Sequence, residues 1–148
     1  MAQTQSPGTP STVPAGAADL LSVGLRFATI ATINADGSPH QAVIWFRFDG
    51  GDLIINSKPG RVWPTNLQRD PRISVTVEDG YRWVSIRGSV VEDNAAAHAQ
   101  ADIAEMARRY HADEPERAET MIRDRFEQQQ RVSFRLALAS SKLHFYED

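Results

Sequence analysis

Residues Trp45 to Asn66 read W-F-R-F-D-G-G-D-L-I-I-N-S-K-P-G-R-V-W-P-T-N, and they contain the most informative pattern in this chain. An apolar run, a D-G-G-D turn and a second apolar run predict a β-hairpin. The chain then turns at a Pro-Gly pair and reaches a short segment of helical character. We expect this helix to begin at Pro64, where a missing amide hydrogen costs nothing, and to end near Arg69.

The turn between this hairpin and the helix has the composition of a phosphate site. Glycine lets a ligand approach the backbone closely, and the first amides of a helix point beyond its end. Lys58 and Arg61 add two cations, and arginine can bind a phosphate through two parallel hydrogen bonds. Ser57, Thr65 and Asn66 add hydroxyl and amide donors. A plain strand-to-helix turn with solvated charges remains open, because no glycine-lysine-serine phosphate loop is present.

The composition indicates one globular domain without thiol chemistry. The chain has 148 residues, of which 41% are apolar, a formal charge of -3 and no cysteine. Disulfides, thiol nucleophiles and sulfur-ligated metals are therefore excluded. A slightly acidic chain gives no electrostatic reason to bind nucleic acid, and no apolar run has the length of a membrane span. We expect a cytoplasmic protein with neither kind of partner.

Two regions of different order are predicted. Residues 1–14 are small, polar and proline-rich, and bury too little surface to offset the entropy of ordering them, so we expect a disordered tail. Residues 15–148 form the folded domain. Helices are expected over 15–23 and 64–69, after Asp93 and from Pro115 onward. Strands are expected over 25–33, 40–48, 53–56, 72–78, 81–91, 131–138 and 142–146.

This pattern favours a mainly β fold, a small antiparallel barrel with helices added late in the chain. The strand over 40–48 has apolar residues on both faces, which is expected when one face meets the core and the other a ligand or partner. The large apolar side chains also exceed what one small barrel needs for filling, and this favours a dimer.

The residues themselves offer little catalytic chemistry. The four histidines are scattered without metal-ligand spacing, so no metal site is expected. No G-x-S-x-G elbow appears, and the carboxylates of the helical region resemble a solvated face. The catalytic residues therefore stay unknown, and we expect a bound cofactor to carry the chemistry.

Four blocks of the sequence resemble the pyridoxamine 5′-phosphate oxidase-like family of flavin and deazaflavin split barrels. They are residues Phe27–His40, Val43–Ser57, Gly60–Val77 and Tyr81–Gly88. The chain is most similar to the branch that uses the deazaflavin coenzyme F420. The resemblance implies a six-stranded antiparallel split β-barrel, known as the FMN-binding split barrel, that works as a homodimer with two cofactors in clefts between the subunits.

The resemblance also implies roles for particular residues. The cofactor ring lies along the strands that contain Trp45 and Ser57, and Arg61 matches a phosphate-binding arginine in the turn 60–66. Tyr81 and Arg131 match positions that approach the cofactor from the neighbouring subunit. The full predicted cofactor-binding set is Trp45, Ser57, Lys58, Gly60, Arg61, Trp63, Asn66, Tyr81 and Arg131.

One departure from the family pattern concerns the phosphate. Two residues after the arginine the family often has a lysine, and here that position is Trp63. Lys58 is one possible replacement, stacking of Trp63 on a ring or sugar is another, and a weakened or lost site is the third. An unreplaced cation at a phosphate costs about 1 to 3 kcal/mol.

Three functions follow from the resemblance. The first is an oxidoreductase that transfers hydride between F420 and a small organic substrate. The second is an FMN-dependent oxidoreductase of the same fold; F420 differs in its long acidic tail, for which Arg82, Arg87 and Arg135 are available. The third is a non-catalytic cofactor-binding dimer. The chain ends in A-S-S-K-L-H-F-Y-E-D and lacks an arginine-rich terminal segment, which argues against oxidation of vitamin B6.

Overall fold

Two antiparallel β-sheets form the framework of the protein in a computed structural model, which describes residues 2–6 and 13–148. The strands are β1 (Ala2–Ser6), β2 (Ala28–Ile33), β3 (Pro39–Ile44), β4 (Arg47–Asp49), β5 (Asp52–Ser57), β6 (Arg72–Asp79), β7 (Arg82–Ser89), β8 (Val91–Asp93), β9 (Val132–Ala137) and β10 (Lys142–Glu147). The larger sheet has the order β1-β10-β7-β6-β2-β3, and the smaller one β4-β5-β9-β8. The predicted mainly β antiparallel fold is confirmed.

Four α-helices accompany the sheets within the described residues. They are α1 (Ala15–Ser22), α2 (Val62–Arg69), α3 (Ala96–Tyr110) and α4 (Pro115–Met121). Helix α4 continues directly into a π-helical turn, Ile122–Phe126, and a short 3₁₀ turn, Leu138–Ser140, separates β9 from β10. Helices α3 and α4 lie between β8 and β9 in the sequence, so the predicted late insertion of helices is confirmed.

Two long strands pass from one sheet to the other. The predicted strand 40–48 is interrupted at Trp45 and Phe46, so that β3 belongs to the larger sheet and β4 to the smaller. The predicted strand 81–91 is interrupted in the same way at Val90, whose amide donates to the carbonyl of Pro71 at 2.9 Å. These two crossings join the sheets into a split barrel.

The main core fills the space between the sheets. The predicted alternation along β6 is confirmed, because Ile73, Val75 and Val77 are all buried. Phe46 and Phe134 are the largest of its fully buried side chains. A second, smaller cluster lies under the inserted helices on the opposite face of β5 and contains Ile54, Ile103, Met106, Ala107, Tyr110, Ile122 and Phe126. Strand β5 is therefore covered on both faces.

Helix α2 begins two residues earlier than predicted. Arg61 is its extended N-cap, and the amide of Thr65 donates to the carbonyl of Arg61 at 3.1 Å. Pro64 is the third helical residue and not the first. The first four amides of a helix lack partners within it, so proline is tolerated there as well.

The N-terminal segment also differs from its prediction. Residues 2–6 form β1, which pairs with β10 from Ala2 opposite Glu147 to Ser6 opposite Leu143. A polar segment can join a sheet edge because main-chain hydrogen bonds supply the pairing whatever the side chains are. The rest of the predicted tail, residues 1 and 7–12, lies outside the described residues, and Val13 packs against the main core.

Gly88 marks a close approach between β7 and the end of β9. A Cβ atom at Gly88 would lie 2.5 Å from Ser141 Oγ and 2.9 Å from Leu136 Cδ1. We therefore expect Gly88→Ala to lower the free energy of unfolding by about 1 to 3 kcal/mol, as other overpacked core sites do. Urea denaturation measures this change.

The neighbouring substitution Ser89→Ala is the control, because Ser89 is exposed. It should change the free energy of unfolding by less than about 0.5 kcal/mol. Equal stability of Gly88→Ala and wild type would contradict the close packing at this position.

Candidate functional site

A cavity of about 240 Å³ lies between the strand crossing at Trp45, strand β5 and the inserted helices. Its lining combines apolar side chains with three arginines and one amide. The lining residues are Val43, Ile44, Trp45, Asn56, Arg61, Ile103, Met106, Met121, Arg125, Phe126 and Arg131. An apolar and aromatic wall beside a cationic end suits a flat ring that carries an acidic group.

The three arginines of this cavity, Arg61, Arg125 and Arg131, form an uncompensated positive cluster. Within the part of the chain that the structure describes, no carboxylate comes within 4.0 Å of any of the three guanidinium groups. Burial of Arg131, together with the charges of Arg61 and Arg125, lowers the pKa of Arg131 to about 10. Arg131 is still protonated at neutral pH, and a bound anion would relieve the repulsion.

Arg131 is held by neutral groups. Its Nε donates to Asn56 Oδ1 at 3.0 Å, and its Nη1 donates to Gln129 Oε1 at 2.8 Å. Its Cζ lies 5.1 Å from the centroid of the Phe126 ring, and Arg125 Cζ lies 5.6 Å from the same centroid. The Phe126 ring therefore contacts two of the three cations through cation–π interactions.

Arg61 is presented by the turn before α2. Gly60 adopts a φ of +91°, a left-handed conformation that favours glycine and that ends the strand sharply before Arg61. No described side chain caps the first amides of α2. The partial positive charge of the helix start thus lies next to the Arg61 guanidinium, and both favour an anion.

The aromatic wall is fixed by helix α3. The Trp45 ring stacks on the Tyr110 ring with centroids 5.0 Å apart and an interplanar angle of 9°. The Tyr110 hydroxyl donates to the carbonyl of Arg26 at 2.6 Å and accepts from the amide of Phe46 at 3.2 Å. Burial raises the pKa of Tyr110, so the hydroxyl stays protonated as this donor. The strand crossing is thereby tied to the inserted helix.

The cavity brings together three of the predicted residues, Trp45, Arg61 and Arg131. Arg131 lies beside Arg61 within one chain. The approach of Arg131 to the cofactor of a neighbouring subunit, which the resemblance implies, stays a prediction. Tyr81 lies at the β6–β7 turn with 79% of its surface exposed, outside this cavity. Its contact with a second subunit stays a prediction.

Ser57 and Lys58 do not line this cavity. Ser57 is buried and, by the alternation of β5, shares the strand face of Leu53 and Ile55 in the main core. Its hydroxyl is, among the described residues, the one buried side-chain polar atom without a hydrogen-bond partner. Lys58 is half-buried at the start of the turn.

Trp63 and Asn66 have structural roles that the sequence prediction did not anticipate. Trp63 is 7% exposed, and its ring centroid lies 6.0 Å from that of Phe134 in the main core, so it does not stack on a ligand. Asn66 is buried, and its Nδ2 donates to Thr32 Oγ1 at 3.1 Å and to Asn34 Oδ1 at 2.9 Å. Both residues fasten α2 to the barrel. They act on the site by fixing the helix that presents the arginine.

Sequence reasoning missed Arg125 and Asn56. Arg125 lies in the π-helical turn, where the amide of Glu127 donates to the carbonyl of Ile122 at 2.8 Å, five residues back. In the sequence Arg125 stands among the many charges of a helical segment, and a 3.6-residue period does not reveal the π-helical turn, which adds one residue to the repeat. Asn56 precedes Ser57 on the strand and alternates to the cavity face. Within residues 2–6 and 13–148, no group of three potential metal ligands is found.

A split barrel with a cationic, aromatic-walled cavity defines a class of cofactor-binding proteins. The chain belongs to the pyridoxamine 5′-phosphate oxidase family, whose model matches residues 15–140. A search of curated proteins finds no match. None of the helices in the described ranges is long and apolar enough to span a membrane.

Solved structures share this fold. A conserved hypothetical protein from Mycobacterium tuberculosis is 25% identical with a TM-score of 0.73, over 93% of this chain and 88% of that one. An F420 reductase is 24% identical with a TM-score of 0.65, over 84% and 94%. A FAD and heme binding protein from Mycobacterium smegmatis is 20% identical with a TM-score of 0.62, over 88% and 69%.

The cluster of three arginines can be tested with an inorganic anion, without any cofactor. Arg125→Gln removes one of three like charges, so we expect the melting temperature without ligand to stay equal or rise. Inorganic pyrophosphate should raise the melting temperature of the wild type, because a ligand that binds only the folded state stabilises it. The rise should be clearly smaller for Arg125→Gln in differential scanning fluorimetry.

Arg123→Gln is the matched control. Arg123 is in the same π-helical turn but pairs with Asp124 at 2.8 Å and does not line the cavity. Its pyrophosphate response should equal that of the wild type. An equal reduction in both variants would mean that pyrophosphate binding depends only on the net charge of the protein.

Proposed function

We propose that the protein is an oxidoreductase that transfers hydride between the deazaflavin coenzyme F420 and a small organic substrate. The observation that carries this proposal is the cluster of three arginines beside an apolar, aromatic wall, within a fold whose family takes phosphate-bearing flavin-type cofactors. Arg61, Arg125 and Arg131 would hold the phosphate. Trp45 and Met106 would flank the ring.

The cofactor, when bound, supplies the hydride chemistry. The chain itself would position the cofactor and shield the reacting atoms from water. Its guanidinium groups fix the acidic end, and the packed wall of Trp45, Met106 and Phe126 excludes water from one side of the cavity. Holding donor and acceptor in a reactive geometry is a large part of the catalytic effect in such reactions.

FMN is the alternative cofactor, and one observation favours it. F420 carries a longer acidic tail, which calls for cations beyond the phosphate. Of the three arginines considered for this tail, Arg82 is paired with Asp19 at 3.0 Å and Arg135 with Asp93 at 3.2 Å. Arg87 is exposed beside the groove of the larger sheet and does not line the arginine cavity. The cluster of three arginines alone is sufficient for a cofactor that ends at its phosphate. Among the fold relatives, one is an F420 reductase and another binds FAD and heme.

A non-catalytic cofactor-binding protein is the second function with specific support. The cavity lining has no aspartate, glutamate, histidine or tyrosine side chain that could serve as a general acid or base. A reaction that needs a proton would take it from solvent, from the substrate or from a second subunit. A carrier or sensor has no such need.

We propose that the working form is a homodimer with the cofactor at the subunit interface. Cofactor sites commonly have volumes of roughly 300 to 1,000 Å³. The arginine cavity is smaller, at about 240 Å³, which leaves part of the ligand to contact another surface. Val43 lines this cavity, yet 68% of its surface is exposed.

The outer face of the larger sheet supports the same proposal. Its central outward positions carry small or apolar uncharged residues, namely Thr29, Ala31, Val43, Ser74, Thr76 and Ser85. An apolar groove of about 310 Å³ lies beside Ala31 and Gly88, and Arg72 and Arg87 also line it. A sheet face whose central positions are mostly uncharged is suited to packing against a second copy.

The cofactor is tested by titrating the purified protein with F420 and, separately, with FMN, while tryptophan fluorescence is recorded. We expect saturable quenching by one of them, because Trp45 lines the cavity. Trp45→Phe should lose most of the quenching and Trp83→Phe should keep it. Arg61→Ala should weaken binding by about tenfold to a hundredfold, the usual loss of a charged hydrogen-bonding contact.

A turnover assay distinguishes the oxidoreductase from the non-catalytic cofactor-binding protein. Loss of reduced-cofactor absorbance in the presence of unsaturated small molecules would support the oxidoreductase. Tight binding without any hydride exchange would support the non-catalytic protein. Absence of quenching by both cofactors would contradict the proposed cofactor class.

The dimer is tested by sedimentation velocity. The wild type should sediment as a dimer, and Thr29→Arg should shift it to the monomer, because it places a charge at the centre of the proposed interface. Glu116→Arg, on the exposed side of α4, is the control and should remain dimeric. A monomeric wild type at micromolar concentration would refute the interface.

A further inference from the structure

A chain of buried hydrogen bonds leads away from the arginine cavity, starting at Arg131. Arg131 Nε donates to Asn56 Oδ1 at 3.0 Å, and Asn56 Nδ2 donates to Ser133 Oγ at 2.9 Å. Ser133 Oγ donates in turn to Asp102 Oδ2 at 2.7 Å. Asn56, Ser133 and Asp102 are all buried. None of the three was a predicted site residue.

The Asn56 amide is fixed by its partners. Its Nδ2 donates both to Ser133 and to the carbonyl of Ala99, at 2.9 Å each. Both amide hydrogens are therefore used, and the oxygen is left to face Arg131. The carbonyl of Ala99 belongs to helix α3, so the inserted helix determines which end of the amide meets the guanidinium.

The chain ends at a carboxylate that is already neutralised. Asp102 Oδ1 accepts from Arg47 Nη1 at 2.7 Å, and Arg135 Nη2 lies 3.8 Å from Asp102 Oδ2. The negative charge of Asp102 is thus paired on its own side with Arg47 and Arg135, which also pair with Asp49 and Asp93 respectively. Two neutral groups, Asn56 and Ser133, separate it from Arg131.

We propose that Asn56 and Gln129 are positioning residues for an anion site, because they hold the Arg131 guanidinium at the cavity with neutral amide oxygens and leave its positive charge to the ligand. The proposal deepens the proposed function, since the phosphate of the cofactor is the anion concerned. It also stands as a statement about anions in general. The binding of inorganic pyrophosphate tests it whether or not F420 or FMN is the cofactor.

An arginine in this position needs a partner that holds its guanidinium group without cancelling its charge. Arg61 and Arg125 repel Arg131, so without attachment its long side chain would move away from them. A carboxylate would hold it firmly, but a charged pair would cancel the field that attracts the ligand. An amide oxygen provides the directional bond without the charge. The distances at Asn56 and Gln129 are those of good hydrogen bonds.

The experiment compares two substitutions of nearly the same shape at each amide. Asn56→Leu and Gln129→Leu remove the acceptor, whereas Asn56→Asp and Gln129→Glu keep an acceptor but add a charge. Pyrophosphate affinity is measured by isothermal titration calorimetry. We expect about a tenfold loss for each leucine variant, the usual effect of one hydrogen bond to a charged group. The acidic variants should lose more than the leucine variants.

Two controls separate positioning from general effects. Gln130→Glu adds the same charge one residue from Gln129, at an exposed side chain. It should change the affinity by less than about threefold, because exposed charges are strongly screened. In a double-mutant cycle, Asn56→Leu should have no further effect in an Arg131→Met background but its full effect in an Arg61→Ala background.

Several results would overturn the proposal. They are wild-type affinity in Asn56→Asp or Gln129→Glu, additive losses with Arg131→Met, or no pyrophosphate binding by the wild type. The Gln129 pair keeps the test valid if a buried Asn56 variant fails to fold, because Gln129 is half-buried. If pyrophosphate binds as expected while F420 and FMN do not, the positioning role holds and the proposed cofactor fails.

Discussion

The proximity of three like charges at one cavity is the constraint on which the rest of the structure depends. Arg61 and Arg125 are exposed and both repel the half-buried Arg131. They stay together because each is attached to something rigid. Arg61 begins a helix whose buried side is packed into the barrel, Arg125 belongs to a turn anchored by Phe126, and Arg131 is bonded to two amides. The stability of the barrel core supports an arrangement that is locally unfavourable, which is typical of a binding site.

The inserted helices link this arrangement to the barrel. Helix α3 contributes Tyr110, which stacks on Trp45 and is hydrogen-bonded to the backbone of Phe46 at the strand crossing and of Arg26 before β2. The same helix contributes Asp102 and the carbonyl of Ala99, which end the hydrogen-bonded chain behind Arg131. A barrel without α3 would leave Ile54 and Asn56 exposed on the outer face of β5. The insertion therefore builds both the wall and the electrostatic support of the cavity.

Much of this architecture could be predicted from sequence, and the failures have physical causes. Hydrophobic alternation predicted the strands, and the helical period predicted α3 and α4. The family resemblance identified Arg61 and Trp45. Alternation cannot show that a strand changes sheets, so the crossings at Trp45 and Val90 became visible only in three dimensions. Trp63 and Asn66 stand near Arg61 in sequence, but the helix turns them inward while the arginine stays outside. Arg125 was missed because it stands among many charges, and because a π-helical turn with one extra residue has no recognisable pattern in the sequence.

That extra residue also bears on how the cavity can change during evolution. Successive residues of a regular α-helix are separated by a rotation of about 100° around its axis. Deleting a single residue between Ile122 and Arg125 would rotate the side chains after the deletion by about 100° relative to those before it, and would change how Arg125 and Phe126 meet at the cavity. The deletion would lie outside every strand of the two sheets. A one-codon deletion could thus convert a strongly cationic cavity into a weaker one in a single step. The charge of the ligand that the cavity accepts can then change during evolution without a change in the strands that form the barrel.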